Sequence, residues 1–134
     1  MALPMPVHPI FIHFPIALFF LELLFLLFAV TKQDDFYRRA ALFTFRIAFL
    51  GMLTAMGTGL VDTGGFDGIA GKVRPHYFGA LAVAVIQMAR GILWHVGPQD
   101  AKKIKILFGL SLIAYAAIIF TGFEGGEIVY SEAA

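Results

Sequence analysis

Histidines are the side chains best suited to chemistry in this chain, and two of its four open the first apolar segment. His8 and His13 lie in the run HPIFIHFPIAL, which holds two prolines and leads into a long apolar stretch. A polar imidazole at such a boundary needs a partner, and imidazole is the commonest side-chain ligand of metal ions. The motif therefore indicates a binding site where this segment begins.

The elements that must position these histidines are membrane spans. Hydrophobic residues make up 60% of the 134 residues, and the mean hydropathy is +0.84, which a soluble domain of this size does not reach. A bilayer core about 30 Å thick needs roughly 20 apolar residues per helix. Four segments meet that length, at about residues 10–30, 40–61, 77–96 and 106–123. The sequence predicts one domain over residues 1–134, an all-α integral membrane four-helix bundle with up-down-up-down topology.

Composition also argues against several kinds of segment, site and partner. The first segment has no basic leader and no small-residue cleavage site, so we expect a span and not a cleavable signal peptide. The chain has no cysteine, which excludes disulfides, thiolate metal sites and covalent c-type haem attachment. A net charge of +1 argues against nucleic acid as a partner.

Basic residues set the expected orientation. The first and third connections carry most of them, namely Lys32, Arg38, Arg39, Lys102, Lys103 and Lys105. The second connection offsets Lys72 and Arg74 with Asp62 and Asp67. Under the positive-inside rule, the first and third connections face the cytoplasm. Both termini and the second connection then lie outside, on the periplasmic side of a bacterial inner (cytoplasmic) membrane.

In this topology, polar residues gather at the outer end of the bundle: His8, His13, Asp62, Asp67, His76, Glu124, Glu127 and Tyr130. His13 and His76 open helices that start on the same side, so they can face each other and hold a b-type haem iron as axial ligands. His8 and Asp62 are candidate supporting residues that orient a ring nitrogen. The structural alternative is that both histidines hydrogen-bond to carboxylates and tie down the outer connection.

Two other metals give different ligand sets. Copper would be bound by Met1, Met5, His8 and His13 on one arm, because thioether and imidazole suit that ion. Zinc hydrolase chemistry is disfavoured, because the chain has no HExxH motif.

A second polar layer lies in the inner half of the bundle. Glu22, Arg46 and Arg90 fall at a similar depth in three different helices, where charges normally pair. We expect an ion pair of Glu22 with one arginine, which would fix the register of the helices. The other arginine would snorkel to the cytoplasmic surface, or meet a haem propionate, a lipid phosphate or a quinone carbonyl. His95 stands alone at this end, so one haem is expected and not two.

Small residues recur every four positions in the second helix, at Gly51, Ala55 and Gly59. Such ridges let two helices approach closely, and helix packing is the favoured role. The alternative is that the ridge makes room for a flat cofactor. The pair Gly125–Gly126 is expected to end the fourth helix through a left-handed cap. No internal repeat stands out.

The chain resembles a known group in the motif HPxxxHFPIAL, the run from Gly57 to Asp62, His76 and the tail GGEIVY. It is a bacterial family of small four-helix membrane proteins of unknown function, whose members share such an opening and a GGxLVY-like tail. The chain departs from it at Glu127, where the family has a small or polar residue, and in its short tail. The matched positions are His8, His13, Asp62, His76, Gly125, Gly126 and Tyr130. The resemblance implies a four-helix fold and a histidine site of the kind suspected of binding haem in membrane redox systems.

Together these features predict a membrane electron-transfer subunit of a larger respiratory or photosynthetic complex, not a stand-alone enzyme. One alternative is a cofactor-free accessory or scaffolding subunit. A further alternative is a small metal-handling or transport protein that uses Glu22, Arg46 and Arg90 as a polar path.

Overall fold

The computed structural model of the protein describes residues 8–132, with side chains as far as Ile128. Within this range the chain forms helices and no strand: α1 His8–Lys32, α2 Asp35–Asp62, α3 Val73–His95 and α4 Ala101–Glu132. All four are long and apolar enough to cross a membrane, with α4 assessed over Ala101–Ile128. The all-α architecture with four candidate spans is therefore confirmed.

The helices extend beyond the apolar runs that predicted them. Helix α1 begins at His8, and α2 begins at Asp35, where Asp34 accepts a hydrogen bond of 2.8 Å from the Phe36 backbone N–H. Helix α4 does not end at Gly125–Gly126, where we expected a cap, but continues to Glu132. Glycine weakens a helix by only about 1 kcal/mol per residue, so other contacts can hold the pair in helical conformation.

Short connections close α1 on α2 and α3 on α4. Gln33 and Gly97 adopt positive φ angles of 54° and 73° at these turns. The middle connection, residues 63–72, is longer and contains a 3-10 turn, Phe66–Gly68. Its Gly64 and Gly65 have φ angles of 77° and 99°, which only glycine adopts readily.

The bundle consists of two helical hairpins. Helix α1 packs most extensively on α2, and α3 packs on α4, while α1 and α4 join the hairpins. The largest apolar side chains of the core are Phe19, Leu26, Phe45, Trp94 and Leu107. Many large apolar side chains point outward, as expected for helices surrounded by lipid. The end at which α1 and α3 begin holds His8, Asp62 and His76, and we call it the histidine end.

Candidate functional site

His8 is the first described residue of α1, and contacts with α2 hold it in place. Its backbone N–H donates to Asp62 Oδ2 over 2.7 Å, so a carboxylate satisfies one of the free N–H groups at the start of α1. Its ring nitrogen Nδ1 lies 2.7 Å from the Ala55 carbonyl oxygen. A carbonyl can only accept, so Nδ1 carries the proton, and Nε2 of the neutral ring keeps a free lone pair.

Gly59 makes this arrangement possible. A Cβ atom at this position would lie 3.1 Å from Nδ1 and 3.3 Å from Cε1 of His8. Because the ring is fixed by the Ala55 carbonyl, it has little freedom to move away. The absence of a side chain at Gly59 therefore lets the imidazole lie directly on the α2 backbone.

His76 repeats this environment in the second hairpin. Its Nδ1 lies 2.9 Å from the Thr121 carbonyl oxygen on α4, so Nδ1 again carries the proton. A Cβ atom at Gly125 would lie 2.9 Å from Cε1 and 3.1 Å from Nδ1 of this ring. Gly125 thus provides the space for His76, which gives a reason for a glycine inside α4.

The two imidazoles face each other across the histidine end. Their ring centroids are 6.0 Å apart, and the ring planes meet at 76°. Among the described residues, no group donates to or accepts from His8 Nε2 or Asp62 Oδ1, although both atoms are buried. Buried polar atoms are nearly always hydrogen-bonded, so these two atoms are available to a water molecule or an ion.

His13 does not take part in this pair. Its side chain is exposed and makes no hydrogen bond within the described part of the chain. Because both histidines lie in α1, their separation of five positions corresponds to a rotation of about 140° about the helix axis, which turns His13 away from the ring of His8. The predicted pairing of His13 with His76 is therefore corrected, since the ring against His76 is that of His8.

The remaining polar residues predicted for this end contribute little to the pair. Asp67 lies exposed in the 3-10 turn, and Glu127 is exposed on α4. Met1 and Met5, the other ligands of the copper alternative, and the side chain of Tyr130 lie outside the described residues. Within residues 8–132, no three His, Cys, Asp or Glu side chains are placed to share a metal ion. A metal at this end would therefore depend on the two imidazoles.

A second group of polar side chains is buried in the middle of the bundle. We call Glu22, Gln87, Arg90 and Ser111 the polar cluster, and none of the four is more than 3% exposed. The Arg90 guanidinium donates to the Glu22 carboxylate and to Gln87 Oε1. It also donates to Ser111 Oγ over 2.5 Å, and that hydroxyl donates to Glu22 Oε2 over 3.0 Å.

The sequence predicted one ion pair of Glu22, with either Arg46 or Arg90, and the structure pairs Glu22 with Arg90. Gln87 and Ser111 were not anticipated, although a polar residue inside an apolar span is the signal that marks both. Trp94 is buried beside Glu22, and its indole Nε1 has no hydrogen-bond partner among the described residues. The cluster links α1, α3 and α4 through charge-assisted hydrogen bonds.

Arg46 lies apart from the polar cluster. Its Nη2 is 3.0 Å from His95 Nε2, and both side chains are exposed. His95 Nδ1 lies 2.7 Å from the Gly91 carbonyl oxygen, so Nδ1 donates there and Nε2 accepts from Arg46. His95, which the sequence left without a partner, therefore pairs with the second arginine.

The ridge of small residues on α2 is the contact surface for α1. A Cβ atom at Gly51 would lie 3.3 Å from both Phe14 Cδ1 and Pro15 Cβ, and Gly59 lies under His8. Ala55 between them is 5% exposed. Side chains of α1 occupy the space that a flat cofactor would need, and the geometry agrees with the packing role.

A match over nearly the whole chain shows its family, and this family agrees with the observed fold. The model of the predicted membrane protein family DUF2231 matches residues 4–134, so the chain belongs to that family of membrane proteins of unknown function. Comparison with curated proteins and with solved structures finds no match. The class of the protein is thus a four-span membrane protein with contact to the lipid bilayer.

Proposed function

We propose that the protein is a membrane subunit that holds one metal centre between His8 and His76, with b-type haem iron as the leading candidate and electron transfer as its role. The observation that carries this proposal is the buried Nε2 of His8, which has no hydrogen-bond partner among the described residues. An imidazole nitrogen with a free lone pair is the atom that binds a metal ion.

The surroundings of both rings support coordination. Metal-binding histidines usually donate their other N–H to a carbonyl or carboxylate, which fixes the tautomer and strengthens the ligand. His8 and His76 both do so, through the carbonyls of Ala55 and Thr121. If both Nε2 atoms bound one metal ion, two metal–nitrogen bonds of about 2.0–2.1 Å would place the ring centroids about 6 Å apart, close to the observed centroid separation of 6.0 Å.

Each neighbouring residue has a definable task in such a site. Ala55 and Thr121 hold the two Nδ1 protons, Gly59 and Gly125 leave room for the rings, and Asp62 fixes the start of α1. A haem iron between two imidazoles supplies one-electron transfer when it is bound. A bare copper ion would use the same two nitrogens but would need no space for a macrocycle between the hairpins.

The setting of the site is part of the proposal. Short connections leave little protein outside the bilayer, which supports association with other membrane subunits in a respiratory or photosynthetic complex. The excess of Lys and Arg in the first and third connections supports a bacterial inner membrane orientation with the histidine end and both termini on the periplasmic side.

An absorbance spectrum combined with metal analysis tests the proposal. Detergent-purified protein should contain about one iron per chain and show a Soret band that shifts on dithionite reduction. His8→Ala and His76→Ala should each abolish the band while helicity is retained. His13→Ala is the matched control, because His13 lies on the same helix and is exposed, and it should leave the band unchanged.

Other outcomes of this experiment assign other functions. Stoichiometric copper or another metal without a Soret band would replace haem by a bare ion at the same histidines. A colourless preparation without stoichiometric metal would refute the proposal. It would favour a cofactor-free accessory or scaffolding subunit, in which the hydrogen bonds of His8 and His76 only close the two hairpins.

A further inference from the structure

The two hairpins bury equivalent positions. Glu22 and Arg90 are 68 positions apart, and the same separation relates each buried residue of α3 to a buried residue of α1. The pairs are Pro15 and Val83, Phe19 and Gln87, Glu22 and Arg90, and Leu26 and Trp94. The two helices therefore turn corresponding faces to the centre of the bundle.

Buried positions in α2 and α4 also correspond, with one constant separation in sequence that differs from the separation between α1 and α3. The buried pairs are Ala41 and Leu107, Phe45 and Ser111, Ala48 and Ala114, Met52 and Ile118, and Ala55 and Thr121. The offset continues to Gly59 and Gly125, the two glycines that lie under the imidazoles. The buried face of each helix in the first hairpin thus corresponds to the buried face of its counterpart in the second.

Equivalent residues also touch each other across the bundle. His8 contacts His76 at one end, and Glu22 pairs with Arg90 in the polar cluster. A residue that contacts its own counterpart marks a two-fold axis, as in a symmetric dimer. Since α1 and α3 run in the same direction, this axis runs along the helices, as in membrane proteins built from parallel repeats.

Contacts away from this axis also occur in corresponding pairs, one from each hairpin. Glu22 of the first hairpin hydrogen-bonds to Ser111 of the second. Arg90 of the second lies over the ring of Phe45 of the first, with Cζ 5.1 Å from the ring centroid. Positions 45 and 111 are counterparts, so each charged residue meets the corresponding site of the opposite hairpin.

We propose that the protein is an internally duplicated hairpin, and that Glu22 and Arg90 are the residues that select the pairing of unlike hairpins. Two first hairpins placed around such an axis would bring Glu22 against Glu22, and two second hairpins would bring Arg90 against Arg90. Like charges buried at 0–1% exposure repel strongly, while the unlike pair is compensated. The interface therefore fits a hairpin of the same fold and opposite buried charge. This inference is independent of any metal.

Charge exchange tests the proposal in the full chain. Glu22→Arg and Arg90→Glu should each lower the yield of folded monomer in detergent at least about tenfold, because each leaves two like charges buried. The double variant Glu22→Arg with Arg90→Glu should recover most of that yield. Arg46→Glu combined with Glu22→Arg is the matched control, since it restores the net charge away from the axis, and it should recover nothing.

Co-expression gives a second measurement that does not depend on the folding of either single variant alone. A Glu22→Arg chain has a buried arginine in both hairpins, and an Arg90→Glu chain has a buried glutamate in both. Opposite charges therefore meet only when a hairpin of one chain pairs with a hairpin of the other. Copies with different tags should therefore copurify in equal amounts, while two wild-type copies should not. Absence of recovery in both experiments, or equal rescue by Arg46→Glu, would overturn the proposal.

Discussion

The substitution Gly125→Ala offers the most direct test of how the histidine end is built. The new Cβ would lie 2.9 Å from Cε1 of His76, closer than carbon atoms normally approach. The ring cannot move aside without weakening its 2.9 Å hydrogen bond to the Thr121 carbonyl. Overpacking costs about 1–3 kcal/mol and a lost hydrogen bond about 1 kcal/mol, against a gain of about 1 kcal/mol from replacing glycine in a helix. The net expectation is a loss of about 1–3 kcal/mol in the free energy of unfolding.

Gly126→Ala is the control for this substitution. It is the next residue of the same helix, and a Cβ there meets no atom within 4 Å. Only the gain in helix propensity remains, so this variant should be more stable than the wild type by up to about 1 kcal/mol. Unfolding in detergent, followed by circular dichroism, measures the difference, which should be about 2–4 kcal/mol. Equal stability of the two variants would refute the placement of His76 against Gly125.

Two further predictions concern the opposite end of the bundle and the orientation of the chain. Lys103→Met should lower stability by about 1.5–3 kcal/mol, because the ammonium donates to the Val96 and Gly97 carbonyls at the end of α3. Lys102→Met, at an exposed neighbour, should change stability by less than about 0.5 kcal/mol in the same unfolding measurement. Because the chain contains no cysteine, Asp67→Cys and Lys102→Cys provide single labelling sites, one in the second connection and one in the first turn of α4. A membrane-impermeant maleimide added to intact cells should label only Asp67→Cys, and the reverse pattern would contradict the proposed orientation.

The four spans were predictable because hydropathy and length report directly on the bilayer. The ends of the helices could not be predicted in this way, because the hydrogen bonds of a helix continue into polar residues that no longer contact lipid. Helix α2 starts at Asp35 for this reason, ahead of its apolar run. Gly125 was expected to end α4, whereas its lack of a side chain serves a tertiary contact with His76 inside the helix.

The composition of the candidate site was partly predictable. The helix topology predicted that His8, Asp62 and His76 lie at one end of the bundle, and the structure places them together there. The choice between His8 and His13 could not be made from the sequence, because it depends on how α1 is rotated about its own axis in the bundle. The rotation found in the structure turns the His8 ring onto α2 and leaves His13 exposed.

The duplication is hidden in the sequence for a physical reason. A core position accepts any side chain that fills its space together with its neighbours, so counterparts can diverge as far as Leu26 and Trp94, or Phe45 and Ser111. The histidine positions are restricted more strongly, because a ring that donates to a backbone carbonyl and lies on that helix needs a glycine beneath it. His8 with Gly59 and His76 with Gly125 therefore keep the same residue types. The two hairpins therefore have the same residue type where a hydrogen bond and the available space both restrict the side chain. These are also the positions where we propose that the protein binds its metal.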